Sequence, residues 1–244
     1  MITLFRRIRQ KLIDSGSVGK YLLYAIGEIL LVVIGILIAL QVNNWNQERL
    51  DYQKSIEYHQ RLISDLDFIM EAFESDSVRA DEVLKSLNEA VEILESGVLT
   101  DSAKVTLDFA LNTFFQFTRI TTELTSYEEM KSTGQLGLIY NTELREAISN
   151  YLTRKEAISK IYDQLSEKVD DTKFIDQYVR VVQTDSRITP DLQYEFSDLS
   201  SDPLVINTLA RYGLHWRSKK YFSAFLKSRA LELKAAVEAE LEEL

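Results

Sequence analysis

YLLYAIGEILLVVIGILIALQV, Tyr21–Val42, is a run of 22 residues without Lys, Arg or Asp, interrupted by a single carboxylate, Glu28. At about 1.5 Å rise per residue it reaches roughly 30 Å as a helix, the hydrocarbon thickness of a bilayer. A cleaved signal peptide shares the order of features, a basic region followed by an apolar one. Its apolar core is shorter, however, and a small-x-small cleavage site follows it. Here the run exits through Leu40-Gln41-Val42-Asn43-Asn44-Trp45, which is a poor site. The stretch reads as an uncleaved transmembrane anchor.

Outward from this run, the charges are lopsided. Arg6, Arg7, Arg9, Lys11 and Lys20 give residues 1–20 a net charge of +4, whereas the 202 residues after Val42 carry −13. The positive-inside rule keeps the first 20 residues in the cytoplasm and exports the rest. Tyr21 and Tyr24 at one end, and Trp45 at the other, stand where interfacial aromatics anchor a span. The acidic bulk argues against a nucleic-acid partner, whose phosphates require a basic face. The chain has no cysteine, which fits an oxidising compartment and excludes disulfides, thiolate metal sites and a cysteine nucleophile.

The run KYLLYAIGEILLVVIGILIALQVNNWN, within residues 5–49, resembles the opening of a family of uncharacterised single-pass membrane proteins of Gram-negative bacteria. A weaker likeness continues around SYEEMKSTGQLGLIYNTELREAISNYL, Ser126–Leu152. The resemblance implies a bacterial inner-membrane address with the C-terminal domain in the periplasm. It implies no activity, cofactor or catalytic residue.

Glu28 is the sharpest local feature. It lies two helical turns before Gly35, which lies one turn before Ala39, so a carboxylate and a small-xxx-small pair share one face with Leu31 and Ile38 close by. Such a face suits close approach of a second membrane helix, from another copy or another membrane protein. Two other readings stay open. Glu28 is about 10 Å from the cytoplasmic end and can snorkel to headgroups. It can also serve a proton or ion path, as in ion-coupled membrane complexes of similar layout.

Two prolines and eight glycines in 244 residues leave few interruptions to regular structure, so the chain is expected to be all-α. A seven-residue series runs Glu28, Gly35, Val42, Arg49, Ile56, Ile63, Met70, Ser77, Leu84, Val91. A second, three residues on from each, runs Leu31, Ile38, Trp45, Tyr52, His59, Leu66, Phe73, Ala80, Leu87, Leu94. Together they make an apolar seam of coiled-coil type. The expected layout is a basic tail (1–20), a membrane helix (21–42), a stalk helix (43–96) ending before Gly97, and a helical bundle (97–244) packed with the stalk. A break at residues 74–81 is the competing reading; the continuous phase of the seam favours one helix. Further helices are expected from Asp101 or Ser102 to Phe115 and from Thr121 or Thr122 to Ser132. A long one follows from Asn141 to about Val182, then a loop over 183–201, a short helix from Pro203 to Tyr212, and a last one from Arg217 to Glu243.

Neither His59 nor His215 makes a convincing metal site. His59 falls on the seam, where hydrogen-bonded packing is the expected role. The basic and aromatic stretch HWRSKKYF, 215–222, reads as a solvated helix start, with contact to anionic headgroups as the alternative. No GxSxG, HExxH, P-loop or GxGxxG occurs. The expectation is a non-enzymatic, membrane-anchored scaffold, interaction or sensor protein that self-associates. The alternative is a subunit of an ion- or proton-coupled complex using Glu28.

Overall fold

In a computed structural model, residues 18–117, 122–169, 173–182 and 190–244 are described. The described residues are all-α apart from one small hairpin, and the chain divides into two compact units, one ending at Ser55 and the other spanning Ile56–Leu244.

Helix α1 is Val18–Ser96, 79 residues. It is this long because no proline occurs in it and no glycine after Gly35. It is unbroken at residues 74–81. It stops at Gly97, whose φ of 66° suits a residue without Cβ, and whose N–H donates to Leu94 O at 3.2 Å.

The buried face of α1 in the second unit corrects the expected seam by one residue. His59, Leu66, Phe73, Ala80, Leu87 and Leu94 are buried as expected, but their partners are Leu62, Ile69, Val83 and Ala90, with Asp76 at the same spacing. Ile56, Ile63, Met70, Ser77, Leu84 and Val91 are only half-buried. The true series carries an acid and an alanine, so hydropathy alone drew the phase toward the more apolar flank.

The loop after α1 leads to α2, Asp101–Thr113, capped by Thr100 rather than by Asp101 or Ser102: its Oγ1 accepts from Ala103 N–H at 3.2 Å. Helix α3, Thr125–Ser132, begins later than expected. Thr121 lies outside the described residues and Thr122 is buried without capping it. Its first turn is capped from a distance instead, where Ser126 N–H donates to Asp65 Oδ2 of α1 at 2.8 Å. Gly134, with φ of 71°, turns the chain into a 3-10 turn at Leu136–Leu138.

Asn141 caps α4, Thr142–Val169, as its side chain accepts from Glu143 and Leu144 N–H. The expected continuation to Val182 does not occur. A short α5, Lys173–Asp176, precedes strand β1, Arg180–Val182, which pairs antiparallel with β2, Asp191–Gln193, in the register Val181↔Leu192. Val181 and Val182 are β-branched and favour the pleated form that the helix reading denied them. Part of the expected loop is therefore strand and part is helix α6, Phe196–Ser201.

Helix α7 is Pro203–Glu243, one helix of 41 residues where two were expected. Asp202 caps it, accepting from Leu204 N–H at 2.7 Å. A mid-helix glycine costs about 1 kcal/mol against alanine, and Gly213 falls between the two expected helices. Gly213 is instead buried against Leu84 and Asn88 of α1, and packing carries the helix through. Val205, Leu209, Tyr212, Trp216, Lys219, Ser223, Leu226, Ala230, Leu233, Val237 and Glu240 form its buried seam, at alternating steps of four and three.

Helices α1 and α7 run antiparallel. Their rim carries three ion pairs, Asp67–Lys234 at 2.7 Å, Glu74–Lys227 at 2.6 Å and Asp81–Lys220 at 2.5 Å. The rungs fall every seven residues on both helices. Exposed pairs of this kind contribute little individually, about 0–1 kcal/mol each. Most of the cohesion comes from the seams and from α4, whose Leu144, Ile148, Ile158 and Tyr162 complete the core, while its Ile161 faces out.

Candidate functional site

Two features stand apart from ordinary core. The first is the apolar part of α1. From Leu22 to Val42 its side chains lie largely open, with Leu31 69% and Ile38 60% exposed. A helix here is long and apolar enough to cross a membrane, and none of its apolar window is buried. Glu28 and Tyr24 are half-exposed, Ala39 and Trp45 exposed. A Cβ added to Gly35 would meet nothing within 4 Å, so the face of Glu28, Leu31, Gly35, Ile38 and Ala39 has room for an approaching surface. Lys20 and Tyr21 belong to the helix, but their side chains, like Arg6, Arg7, Arg9 and Lys11, lie outside the described residues.

The second is a polar network buried where the two long seams are interrupted. Lys219 Nζ lies 2.8 Å from Asp76 Oδ1, with side chains 1% and 9% exposed. Ser223 Oγ–H donates to Asp76 Oδ2 at 2.6 Å. Ser223 has then spent its only proton, so Tyr162 is the donor between their hydroxyls, 3.2 Å apart, or to Lys219 O at 3.1 Å. The ammonium also lies 5.0 Å from the Phe117 ring and 5.2 Å from that of Trp216, within cation–π range. Trp216 is fixed by its own Nε1–H, which donates to Phe114 O at 2.8 Å. Desolvation pulls the Lys219 pKa below that of a free lysine, and the Asp76 carboxylate opposes the shift. Burial pushes the Tyr162 phenol up.

Sequence reasoning placed HWRSKKYF at a solvated helix start or on a headgroup surface. The helix-start reading is corrected: the stretch lies mid-helix, Trp216 and Lys219 point into the core, and Lys220 pairs with Asp81. The signal that identifies Lys219 is its place in the four-three spacing of α7, which becomes visible once Gly213 is allowed inside a helix.

A second buried contact lies along the same two seams. His59 Nε2 is 3.4 Å from Glu240 Oε1, which also accepts from Asn141 N–H at 3.3 Å. His59 is thus held in packing, the role its seam position suggested. His215 lies on α7 against the Tyr212 ring. Among the described residues no three His, Asp or Glu side chains converge as metal ligands.

A third cluster ties α1 to α3. Arg61 pairs with Glu129, and Tyr58 O–H lies 3.1 Å from Glu129 Oε1 and 2.9 Å from Gln135 Oε1. The Arg61 guanidinium holds the Glu129 carboxyl below its ordinary range.

A model of a family of unknown function (DUF6090) matches residues 28–187. The chain belongs to that family. The match begins at Glu28 and takes in residues 28–42 of the apolar run, Asp76 and Tyr162; Lys219 and Ser223 lie beyond its end. No curated protein and no solved structure matches the chain.

Proposed function

We propose that this member of the family is a non-enzymatic, membrane-anchored helical scaffold or sensor of the bacterial inner membrane. Its N-terminus is cytoplasmic, its helical bundle is periplasmic, and it self-associates through the Glu28, Gly35 and Ala39 face. The observation that carries the reading is the apolar window of α1, which none of the described residues buries. An apolar surface of that length left in water is strongly unfavourable, at about 25 cal/mol per Å², and lipid is the solvent that removes the cost. The positive charge of residues 1–20 supports the orientation. The Asp76–Lys219 network is centred on a lysine sealed from solvent, which suits a role in holding helices.

Membranes carrying the full chain should retain it through an alkaline carbonate wash, and its release to the supernatant would overturn the anchor. A reporter fused after Asn46 should be active outside the cytoplasm. In detergent crosslinking, Gly35→Leu should reduce association more than Glu28→Gln, because a polar contact between membrane helices is worth only about 0.6–2 kcal/mol. Association intact in both variants, with activity in cells lost in Glu28→Gln alone, would favour an ion- or proton-coupled role for Glu28 instead.

A further inference from the structure

Helix α7 carries a second seam on the side away from the core. On that face the same three-four spacing picks out Tyr221, Ala224, Ser228, Leu231 and Ala235, all exposed. Tyr221 is 66% and Leu231 59% exposed. The stripe runs about 21 Å at 1.5 Å per residue, and no charge falls on it. Lys227, Arg229, Glu232 and Lys234, the charges of α7 between Lys220 and Glu238, all stand beside it. Over the same height the exposed face of α1 carries Asp67, Glu71 and Glu74.

The stripe has two unlike flanks. Lys227 and Lys234 precede stripe residues by one place, whereas Arg229 and Glu232 follow them by one, so the two sets lie on opposite sides. The lysine side meets α1: Lys234 pairs with Asp67 and Lys227 with Glu74, which places Glu71 between these rungs. The other side meets α4, whose Arg154 lines a cleft with Arg229 and Glu232. Glu71 and Arg154 therefore stand at the same height on opposite flanks. Both are exposed, and neither has an ion-pair partner among the described residues.

We propose that this stripe is a contact between two copies of the chain, their α7 helices side by side, parallel and in register. Charge matching decides the arrangement. A two-fold axis along the stripe brings the α1 flank of each copy to the α4 flank of the other, so that Glu71 faces Arg154 across the contact. An antiparallel pairing sets α1 against α1 and α4 against α4, acid against acid and arginine against arginine. Lipid is a poor occupant, because the ladder of lysines and acids beside the stripe would have to enter it too. Ala224, Ser228 and Ala235 are small enough to let two backbones approach, and Tyr221 and Leu231 supply the apolar bulk. The inference goes beyond the membrane-helix face proposed above and does not rest on it.

The chain has no cysteine, so single cysteines report proximity without background. Ala224→Cys, Ser228→Cys and Ala235→Cys, each in the full chain in detergent micelles, should form disulfide-linked dimers on mild oxidation. Ser75→Cys, on the exposed face of α1, should not. Absence of dimers at all three stripe positions, or equal crosslinking of Ser75→Cys, overturns the proposal whatever the membrane helices do. Tyr221→Cys linking to Ala235→Cys in mixed samples, in preference to either with itself, means antiparallel pairing and overturns it too. Leu231→Glu should weaken the Ser228→Cys crosslink about tenfold or more, by setting like charges face to face in the seam, and no change would refute the contact. Glu71→Arg or Arg154→Glu alone should reduce that crosslink about two- to fivefold, the scale of an exposed pair, and the double exchange should restore it. Failure to restore it overturns the parallel arrangement. Every substituted side chain is exposed, so the variants should fold.

Discussion

Asp76 and Lys219 lie 2.8 Å apart at the points where two apolar seams are each interrupted by a charge. Neither residue is tolerable in its own seam without the other. The two long helices of the bundle are complementary in their defects as well as in their apolar faces.

The pair should therefore show strong non-additivity. Lys219→Met alone leaves the Asp76 carboxylate buried with only the Ser223 hydroxyl, and should cost about 3–5 kcal/mol. Adding Asp76→Leu should recover most of that loss, since a well-packed apolar replacement of a buried pair is often neutral or stabilising. Denaturant unfolding of the full chain in micelles measures the cycle. Additive losses would show that the pair is not a unit.

Acid should weaken the attachment of α3 to α1. The folded pKa of Glu129 is lowered, chiefly by its hydrogen bond from Arg61, against an ordinary value of 4.5. The unfolded chain thus takes up the proton first as pH falls. The contribution is fully present above about 4.5 and is lost as pH drops through the lower folded value. Arg61→Gln should flatten the fall in stability below pH 4.5, and an unchanged pH profile would remove Glu129 from the account.

The two glycines should respond to alanine with opposite signs. Gly213→Ala adds a Cβ that meets its nearest neighbours, Asn88 and Leu84, at an ordinary 3.8 Å, so it should stabilise α7 by about 0.5–1 kcal/mol. Gly97→Ala forces a Cβ onto a φ of 66° and should destabilise by about 1 kcal/mol. Thermal unfolding of both variants measures the contrast.

Asp65→Ala should unravel the first turn of α3. The lost bond to Ser126 N–H is a helix cap provided by another helix, and caps are worth about 0.5–2 kcal/mol. Amide exchange at residues 126–128 should accelerate more than exchange across α1. Uniform acceleration would mean that Asp65 supports the whole bundle instead.

The all-α class, the unbroken first helix, the helix starts at Asn141 and Pro203 and the stop at Gly97 were legible, because each depends on local chemistry or on the absence of breakers. The phase of the seam was not. Asp76 occupies a seam position, and no pattern of hydropathy assigns a charge to a core until its partner is known. Lys219 lies more than a hundred residues away on a helix that was expected to start only at Arg217. The α3 cap failed for the same reason, since Asp65 is remote from Ser126 in sequence. The hairpin at Val181 was hidden by the apolar spacing of α4, which runs on past the point where β-branched residues take over.

The rim ladder of Asp67, Glu74 and Asp81 on Lys234, Lys227 and Lys220 repeats every seven residues, and so it cannot count. If α7 slipped along α1 by one repeat, two of the three rungs would re-form with new partners and the rim would scarcely notice. Such a slip would bring Lys219 opposite Ile69 or Val83, an isolated ammonium among hydrocarbon at a cost of several kcal/mol. His59 and Glu240 would part in the same movement. The charges that look like flaws in the core are what make its alignment unique, while the ladder outside merely tolerates it.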